Sequence, residues 1–376
     1  FSYCLKGLEM SAQLVIDNIK LDATGGKTIQ RLDPVSAKLV STAAACTLED
    51  AKRLAASSER AFRKWSKTGP TERRRLLLAA ADVLEAKMSE FCRIMAEEIG
   101  ASQLWAQFNV GASANLLREA AALTTQIKGE TIPTDKLGAF SLTLRQPVGT
   151  VLSIVPWNGP VILGARAIAY PLACGNTVIF KGSENSPRTH ALVADAFIEA
   201  GLPAGVLNFL ITAPEDASAV TEALVAHDTV RRVNFTGSTK VGRMIAETCA
   251  SHLKRCLLEL GGKAPFVVLE DADIDGAVNA AVFGSFLYQG QICMSTERFV
   301  VDQRVADEFV SKFSERIGKL ELGDPTASPT CVVGPVIAQG SVKRINHLIE
   351  DALGEGAVIA AGGIADSALM QPTLVD

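Results

Sequence analysis

The stretch GTVLSIVPWNGPVILGARAIAYPLACGNTVIFKGSENSPRTHALVADAFIEA, residues 149–200, decides the fold. It opens on a short apolar run, Val151 to Val155, which meets the polar break Pro156-Trp157-Asn158. The next run, Pro160 to Ala173, is too long for a strand and carries proline where a helix tolerates it, at its first position. Thr177 to Phe180 is again strand-like, ends in Lys181-Gly182-Ser183-Glu184, and leads to a helix from Pro187 to Ala200. The alternation continues with Val206 to Leu210 before Asp216 to Ala226, and Arg232 to Phe235 before Val241 to Ala250. Four strand-helix units in about a hundred residues predict a parallel sheet covered on both faces, and right-handed crossovers make it doubly wound. Ligands of such sheets bind beyond the C-terminal ends of the strands.

Upstream, Glu49 to about Ile127 has helical periodicity, with Leu76, Ala79, Ala80, Val83 and Leu84 at three- and four-residue spacing. Residues 131–147, TIPTDKLGAFSLTLRQP, alternate around Leu137-Gly138 and predict a two-stranded excursion. Downstream, a second α/β set is expected from Leu257 to Glu259, through Phe266 to Leu269, a helix from Ala277 to Leu287, Phe299 to Val301, and helices from Val305 and Val342. The boundary between the two sets is expected near residues 251–258.

Composition excludes several classes. With 37 Lys and Arg against 41 Asp and Glu, the net charge of -4 offers no concentrated basic face for nucleic acid. The one basic run, Arg73-Arg74-Arg75, reads as a solvated helix face. Val148 to Phe180 is interrupted by Asn158, Arg166, Asn176 and prolines, well short of the ~20 uninterrupted apolar residues of a membrane span. The N-terminal stretch with Lys6 and Glu9 lacks a signal-peptide pattern, and cysteines 4, 46, 92, 174, 249, 256, 293 and 331 have no paired spacing. A cytoplasmic location with free thiols is expected. Because the chain opens on Phe1 and closes at Leu374-Val375-Asp376 in an apparent strand, it is expected to be incomplete, with Met10 as an alternative start. Cys249, His252 and Cys256 resemble a metal half-site without a fourth ligand, so no metal is expected. His190, His227 and His347 have no nucleophile nearby in sequence, which gives a hydrolase triad little support.

The polar breaks carry the chemistry. Lys181 can donate to ribose hydroxyls, Glu184 can accept from them, and Gly237-Ser238 precede a helix whose free N–H groups favour a pyrophosphate. A carboxylate at Glu184 would repel a 2'-phosphate, which favours NAD over NADP. Neither the G-x-G-x-x-G fingerprint nor a P-loop is present, and each break taken singly could be an ordinary turn. A second cluster pairs Leu258-Glu259-Leu260-Gly261-Gly262-Lys263 with Gly290-Gln291-Ile292-Cys293-Met294-Ser295. A carboxylate and a thiol in such places suit acyl chemistry; the thiol would need a helix N-terminus, a nearby cation or a transient base to ionise.

In order and spacing, PWN at 156–158, FKGSE at 180–184, FTGSTKVG at 235–242, LELGGK at 258–263 and GQICMSTER at 290–298 resemble the NAD(P)-dependent aldehyde dehydrogenase superfamily over nearly the whole chain. The wording WNGPVILGARAIAYPL and QGQICMSTERF is similar to its salicylaldehyde, vanillin and benzaldehyde dehydrogenase branch. The resemblance implies an α/β fold: a doubly wound cofactor domain (1–126 and 148–256), an oligomerisation hairpin (127–147) and an α/β catalytic domain (257–376) incomplete at its C-terminus. It implies Cys293 as nucleophile, Glu259 as general base and Asn158 as oxyanion donor, acting through a thiohemiacetal and a thioester that is hydrolysed to the acid. Ile154, Pro156, Trp157, Lys181, Ser183, Glu184, Phe235, Gly237, Ser238, Val241 and Leu260 would face NAD.

For the substrate, Gly159 would leave room for a ring, Ile162 and Ile292 would line the channel, Arg166 would donate to a ring hydroxyl and Trp105 would stack on the ring. Arg166 paired with an acid and Trp105 filling core are the structural alternatives. A small-molecule aldehyde and a second copy of the chain, as homodimer or homotetramer, are the implied partners. The family's later E-x-F-G-P segment and final strand have no counterpart before Asp376, so residues 1–376 alone are expected to bind cofactor weakly. A semialdehyde or aliphatic substrate, or a catalytically silent NAD-binding protein, are the alternatives.

Overall fold

The computed structural model describes residues 11–376; the alternative start at Met10 and the stretch around Lys6 and Glu9 lie outside them. In chain order the strands and α-helices are β1 (Leu14–Ile16), β2 (Ile19–Leu21), β3 (Thr28–Leu32), β4 (Leu39–Ala44), α1 (Leu48–Trp65), α2 (Pro70–Ala86), α3 (Met88–Ile99), α4 (Gln103–Leu123), β5 (Glu130–Ile132), β6 (Ser141–Thr143), β7 (Thr150–Ile154), α5 (Pro160–Ala173) and β8 (Thr177–Lys181). There follow α6 (Pro187–Glu199), β9 (Leu207–Leu210), α7 (Ala217–Ala226), β10 (Val230–Gly237), α8 (Thr239–Ser251), β11 (Arg255–Leu260), β12 (Ala264–Val268), α9 (Ile274–Phe286), β13 (Thr296–Val301), α10 (Gln303–Gly318), α11 (Gln339–Gly354), β14 (Ile359–Ala361) and β15 (Leu374–Val375). Among the described residues no helix is long and apolar enough to cross a membrane.

The chain forms two compact units. The first takes the described residues up to Gln30, Ser41–Ser89 and Asn109–Glu259; the second takes Arg31–Val40, Glu90–Phe108 and Leu260–Asp376. The expected cofactor half, 1–126 and 148–256, includes residues 31–40 and 90–108, which in the structure pack with the second unit. Periodicity shows that a helix has an apolar face without showing which core that face meets.

In the first unit the sheet order is β11-β10-β7-β8-β9-β1-β2. Strands β10, β7, β8 and β9 are parallel neighbours, as the alternating runs predicted. The side chains of β7, β8 and β9 are buried from both sides, and those of β10 only in part; Leu152, Ile179, Phe180, Leu207 and Val233 have no exposed surface. The chain steps outward from β7 to β8 to β9, then returns across β7 to lay down β10, so the strand order reverses between β7 and β10. With right-handed crossovers throughout, that reversal puts α5 and α6 on one face and α7 on the other. Packing agrees, since α2 lies against α5 and α6 while α7 lies against α1 and α8. Helix α1 begins with a capping box in which the Thr47 side chain and Asp50 each satisfy the other's backbone N–H.

Three details depart from expectation. The β1–β2 hairpin, unread in the sequence, adds an antiparallel edge to β9 through Asp17 and Asn18, both left-handed as a two-residue hairpin turn requires. Strand β11, expected to open the second set, pairs instead beside β10. Arg73 is buried and donates to Thr68 O, so the arginine run is not uniformly a solvated face. The predicted excursion is present as the antiparallel ribbon β5–β6, with Leu137, Phe140, Leu142 and Leu144 exposed.

The second unit is built on the parallel pair β12–β13, over which α9 and α10 close a core of Val268, Ile274, Val278, Ala281, Phe309, Phe313 and Ile317. Phe299 meets Phe313 edge-on at 5.1 Å. A smaller cluster gathers Val336, Val342, Ala368 and Met370.

Candidate active site

The reversal between β7 and β10 creates the crevice where a doubly wound sheet takes its ligand. Three polar loops of the first unit leave adjacent strand ends there. The β7 loop carries Pro156, Trp157 and Asn158, all half-buried, directly after the buried Ile154, and Val155 N–H donates to Lys181 O at 3.2 Å. Helix α5 starts at Pro160 and is fixed to β7 by Ser153 Oγ donating to Ala167 O at 2.8 Å.

The β8 loop begins at Lys181, whose side chain is buried. Loss of water pushes its ammonium pKa down, and the charge of Glu184 opposes that shift. Beneath it the Cys46 thiol is pushed up to about 12, mainly by burial, and stays protonated. Gly182 has no room for a side chain, since a Cβ would lie 2.8 Å from His190 Cβ and Ile211 Cδ1. Ser183 N–H donates to His190 Nδ1 at 3.1 Å, and Ser183 Oγ reaches Glu184 Oε2 at 3.4 Å. Burial brings the His190 imidazole down to about 3, so Nδ1 remains an acceptor at working pH.

The β10 loop passes over the buried Phe235 ring, and only a residue without Cβ fits at Gly237, where the added atom would sit 2.5 Å from Phe235 Cζ. Ser238 caps α8, its Oγ accepting from Val241 N at 3.3 Å, and both Ser238 and Val241 are exposed. The helix therefore opens a solvent-facing N-terminus at the crevice, a natural seat for phosphate oxygens. A buried cation, a carboxylate beside it and a helix N-terminus at one crevice are the donor and acceptor set that a dinucleotide requires.

The remaining expected residues divide between the units. Asn158 and Glu259 belong to the first, Leu260, Ile292, Cys293 and Trp105 to the second. Glu259 is exposed on β11 with Arg255 and Leu257, on the face opposite Cys256 and Leu258. Leu260 ends that strand half-buried. Arg166, half-buried on α5, donates from Nη2 to Thr236 Oγ1 at 3.2 Å, a neutral partner in place of the acid that the structural alternative required. Gly159 leaves little room for a side chain of its own: a Cβ there would meet Ile162 Cγ2 at 3.2 Å and Asn109 Oδ1 at 3.4 Å. It answers the close approach of α4 to α5.

Cys293 is half-buried, next to Ile292, in a tight turn closed by Ser295 N–H donating to Ile292 O at 3.0 Å. Lys263 pairs with Glu297. Trp105 is buried and stacks on Tyr288 at 5.2 Å and on Phe108 at 5.5 Å. Sequence reasoning passed over Tyr288 and Gln289 and weighed His190 only as a member of a hydrolase triad; no local motif marks what any of the three contacts. Cys249, His252 and Cys256 form no metal-ligating cluster of three among the described residues.

The sequence profile of the aldehyde dehydrogenase family matches residues 21–376. A salicylaldehyde dehydrogenase of Pseudomonas putida is 57% identical over 367 residues, which are 98% of this chain and 76% of that protein. The crystal structure of a salicylaldehyde dehydrogenase from Pseudomonas putida G7 complexed with salicylaldehyde superposes with a TM-score of 0.96 at 56% identity, covering 98% of this chain and 76% of that one. That of PnpE in complex with nicotinamide adenine dinucleotide gives a TM-score of 0.92 at 34% identity, over 97% of this chain and 76% of that one. The chain belongs to the aldehyde dehydrogenase family.

Proposed function

We propose that the protein oxidises an aromatic aldehyde of the salicylaldehyde kind to its carboxylic acid, with NAD as the oxidant. The observation that carries this reading is the crevice at the strand-order reversal, where Lys181, Glu184 and the open N-terminus of α8 meet the needs of a dinucleotide in a chain so similar to salicylaldehyde dehydrogenases. Lys181 and Glu184 hold ribose hydroxyls, Gly237 and Ser238 admit the pyrophosphate, and Phe235 and Val241 flank it. Ile154, Pro156, Trp157, Ser183 and Leu260 complete the cofactor-facing set.

Cys293 Sγ, as thiolate, forms a bond to the carbonyl carbon and pushes an electron pair onto the carbonyl oxygen. That alkoxide accepts from the Asn158 side-chain amide and the Cys293 N–H, donors of a kind whose loss costs about 3 kcal/mol of transition-state stabilisation. When bound, NAD supplies the oxidising power by accepting a hydride from the carbon held on Cys293. Glu259 then takes a proton from water, whose oxygen displaces the Cys293 thiolate from the thioester and releases the acid. Arg166, with N–H donors beyond the one given to Thr236, donates to a hydroxyl on the substrate ring, and Ile162 and Ile292 line the channel. Exposed Leu137, Phe140, Leu142 and Leu144 on the β5–β6 ribbon support a homo-oligomer. The free thiols of Cys46, Cys249 and Cys293 fit a reducing cytoplasm.

The test follows the absorbance of reduced cofactor when the purified protein meets NAD and hydroxylated aromatic, unsubstituted aromatic, aliphatic and semialdehyde substrates. Highest kcat/KM with the hydroxylated ring supports the reading. Preference for aliphatic or semialdehyde substrates overturns the substrate class, and no reduction with any aldehyde overturns the activity.

A further inference from the structure

The loop that delivers Cys293 passes through three successive left-handed residues: Tyr288 at φ 50°, Gln289 at φ 56° and Gly290 at φ 69°. Glycine adopts this region freely, and at position 290 a Cβ would also lie 2.7 Å from Ser285 O. Tyrosine and glutamine do not, because their Cβ crowds the following carbonyl, and two such residues in a row persist only where the surroundings over-determine them.

The surroundings do so within the second unit. Tyr288 is buried, its hydroxyl donates to Ile99 O at 3.0 Å, and its ring stacks on Trp105. Gln289 Nε2 donates to Pro335 O at 2.9 Å and to Gly100 O at 3.3 Å. Gln291 accepts on Oε1 from Ile337 N–H at 2.9 Å. These partners are remote in sequence, at the end of α3 and in the segment 335–337, so they do not arise from the turn itself. The seat is tailored: a Cβ at Gly334 would lie 2.7 Å from both Gln289 Nε2 and Gly100 O, and one at Gly100 would lie 2.2 Å from Pro335 Cγ. Released from it, residues 288 and 289 would relax towards the right-handed region, and the peptide planes leading to Cys293 would rotate.

We propose that Tyr288 and Gln289 are positioning residues that hold the nucleophile loop in an unfavourable backbone conformation and so fix the direction in which Cys293 Sγ points. Trp105 thereby props Tyr288. This rests on the reading of Cys293 as the nucleophile.

The experiment uses three variants of the full chain. Gln289→Glu keeps the shape but turns oxygen towards two carbonyls. Gln289→Gly removes both the tether and the backbone penalty. Tyr288→Phe removes the hydroxyl and keeps the stack. Two quantities are read: kcat and KM for aldehyde oxidation, and the rate of iodoacetamide alkylation at Cys293 across pH, followed by mass spectrometry of its peptide. Misplacement of a reacting atom lowers kcat roughly 10- to 100-fold with little change in KM. The expected result is that loss in Gln289→Glu and Gln289→Gly, a smaller one in Tyr288→Phe, an altered alkylation rate, and a melting temperature of Gln289→Gly at or above that of the parent. A purely structural role would instead lower stability and activity together. Unchanged kcat and alkylation in folded Gln289→Glu and Gln289→Gly would overturn the proposal. Altered alkylation in the variants, with a parent that oxidises no aldehyde, would sustain it and refute the proposed activity instead.

Discussion

Replacing His190 removes the acceptor on which the Lys181–Glu184 loop is hung. The imidazole is fully buried in the first turn of α6, with Nδ1 3.1 Å from Ser183 N and 3.1 Å from Ser186 Oγ, and its ring edge-on to Phe180 at 5.4 Å. In His190→Ala the buried Ser183 N–H loses its partner, at about 1–3 kcal/mol, and the vacated ring space adds about 2 kcal/mol more. His190→Asn restores an acceptor and recovers about 1 kcal/mol of this. The pH dependence is sharper. Burial holds the folded-state pKa at about 3, below the 6.5 of an ordinary histidine, so the unfolded chain takes up a proton first. His190's contribution is complete above pH 6.5 and is lost as the pH falls towards 3; at about pH 5 the loss is about 2 kcal/mol. Urea midpoints of parent and His190→Asn, measured at about pH 7 and about pH 5, test this. The parent should lose about 2 kcal/mol more than the variant over that interval. Equal losses would show that His190 is not the buried neutral acceptor described.

Lys181→Met should weaken NAD binding about tenfold or more, measured by titration calorimetry, while leaving the melting temperature unchanged or raised, because a buried cation is removed. Glu259→Gln should form the acyl-enzyme, seen as a mass increase on the Cys293 peptide, and release it roughly a hundredfold more slowly; equal loss of both steps would contradict its role as base. Arg166→Ala should reduce the kcat/KM ratio of hydroxylated over unsubstituted aromatic aldehydes by about tenfold, and an unchanged ratio would remove Arg166 from substrate selection.

The parallel sheet was legible because β7 to β9 are short, largely apolar runs bounded by proline, glycine or polar residues and alternate with helical runs too long for strands, and β10, mixed as it is, repeats the same spacing. The crevice was legible for a related reason: Lys181, Glu184 and Ser238 are polar residues that break the pattern at or just past the C-terminal ends of those strands. The edges were harder. Leu257 and Leu258 read equally well as the start of a new set or the end of an old sheet, since a strand's pattern does not name its neighbour. Gly159 read as space for a ligand, while its tight surroundings, Ile162 and Asn109, come from helix packing that the sequence does not report. Tyr288 and Gln289 carry no left-handed signature, as tertiary partners alone impose that backbone. His190 works on a backbone N–H, which no side-chain motif reports.

The hydrogen bond between Arg166 and Thr236 joins α5, the helix that follows Asn158 and starts at Pro160, to the strand that ends at Gly237. With Arg166 in its proposed substrate role and the end of β10 in its proposed cofactor role, chemical taste and coenzyme grip are mechanically yoked, and a lineage drifting towards a new aldehyde by altering position 166 would loosen its hold on the dinucleotide at the same stroke. On that reading, retuning this enzyme for other feedstocks calls for paired changes at 166 and 236, made together.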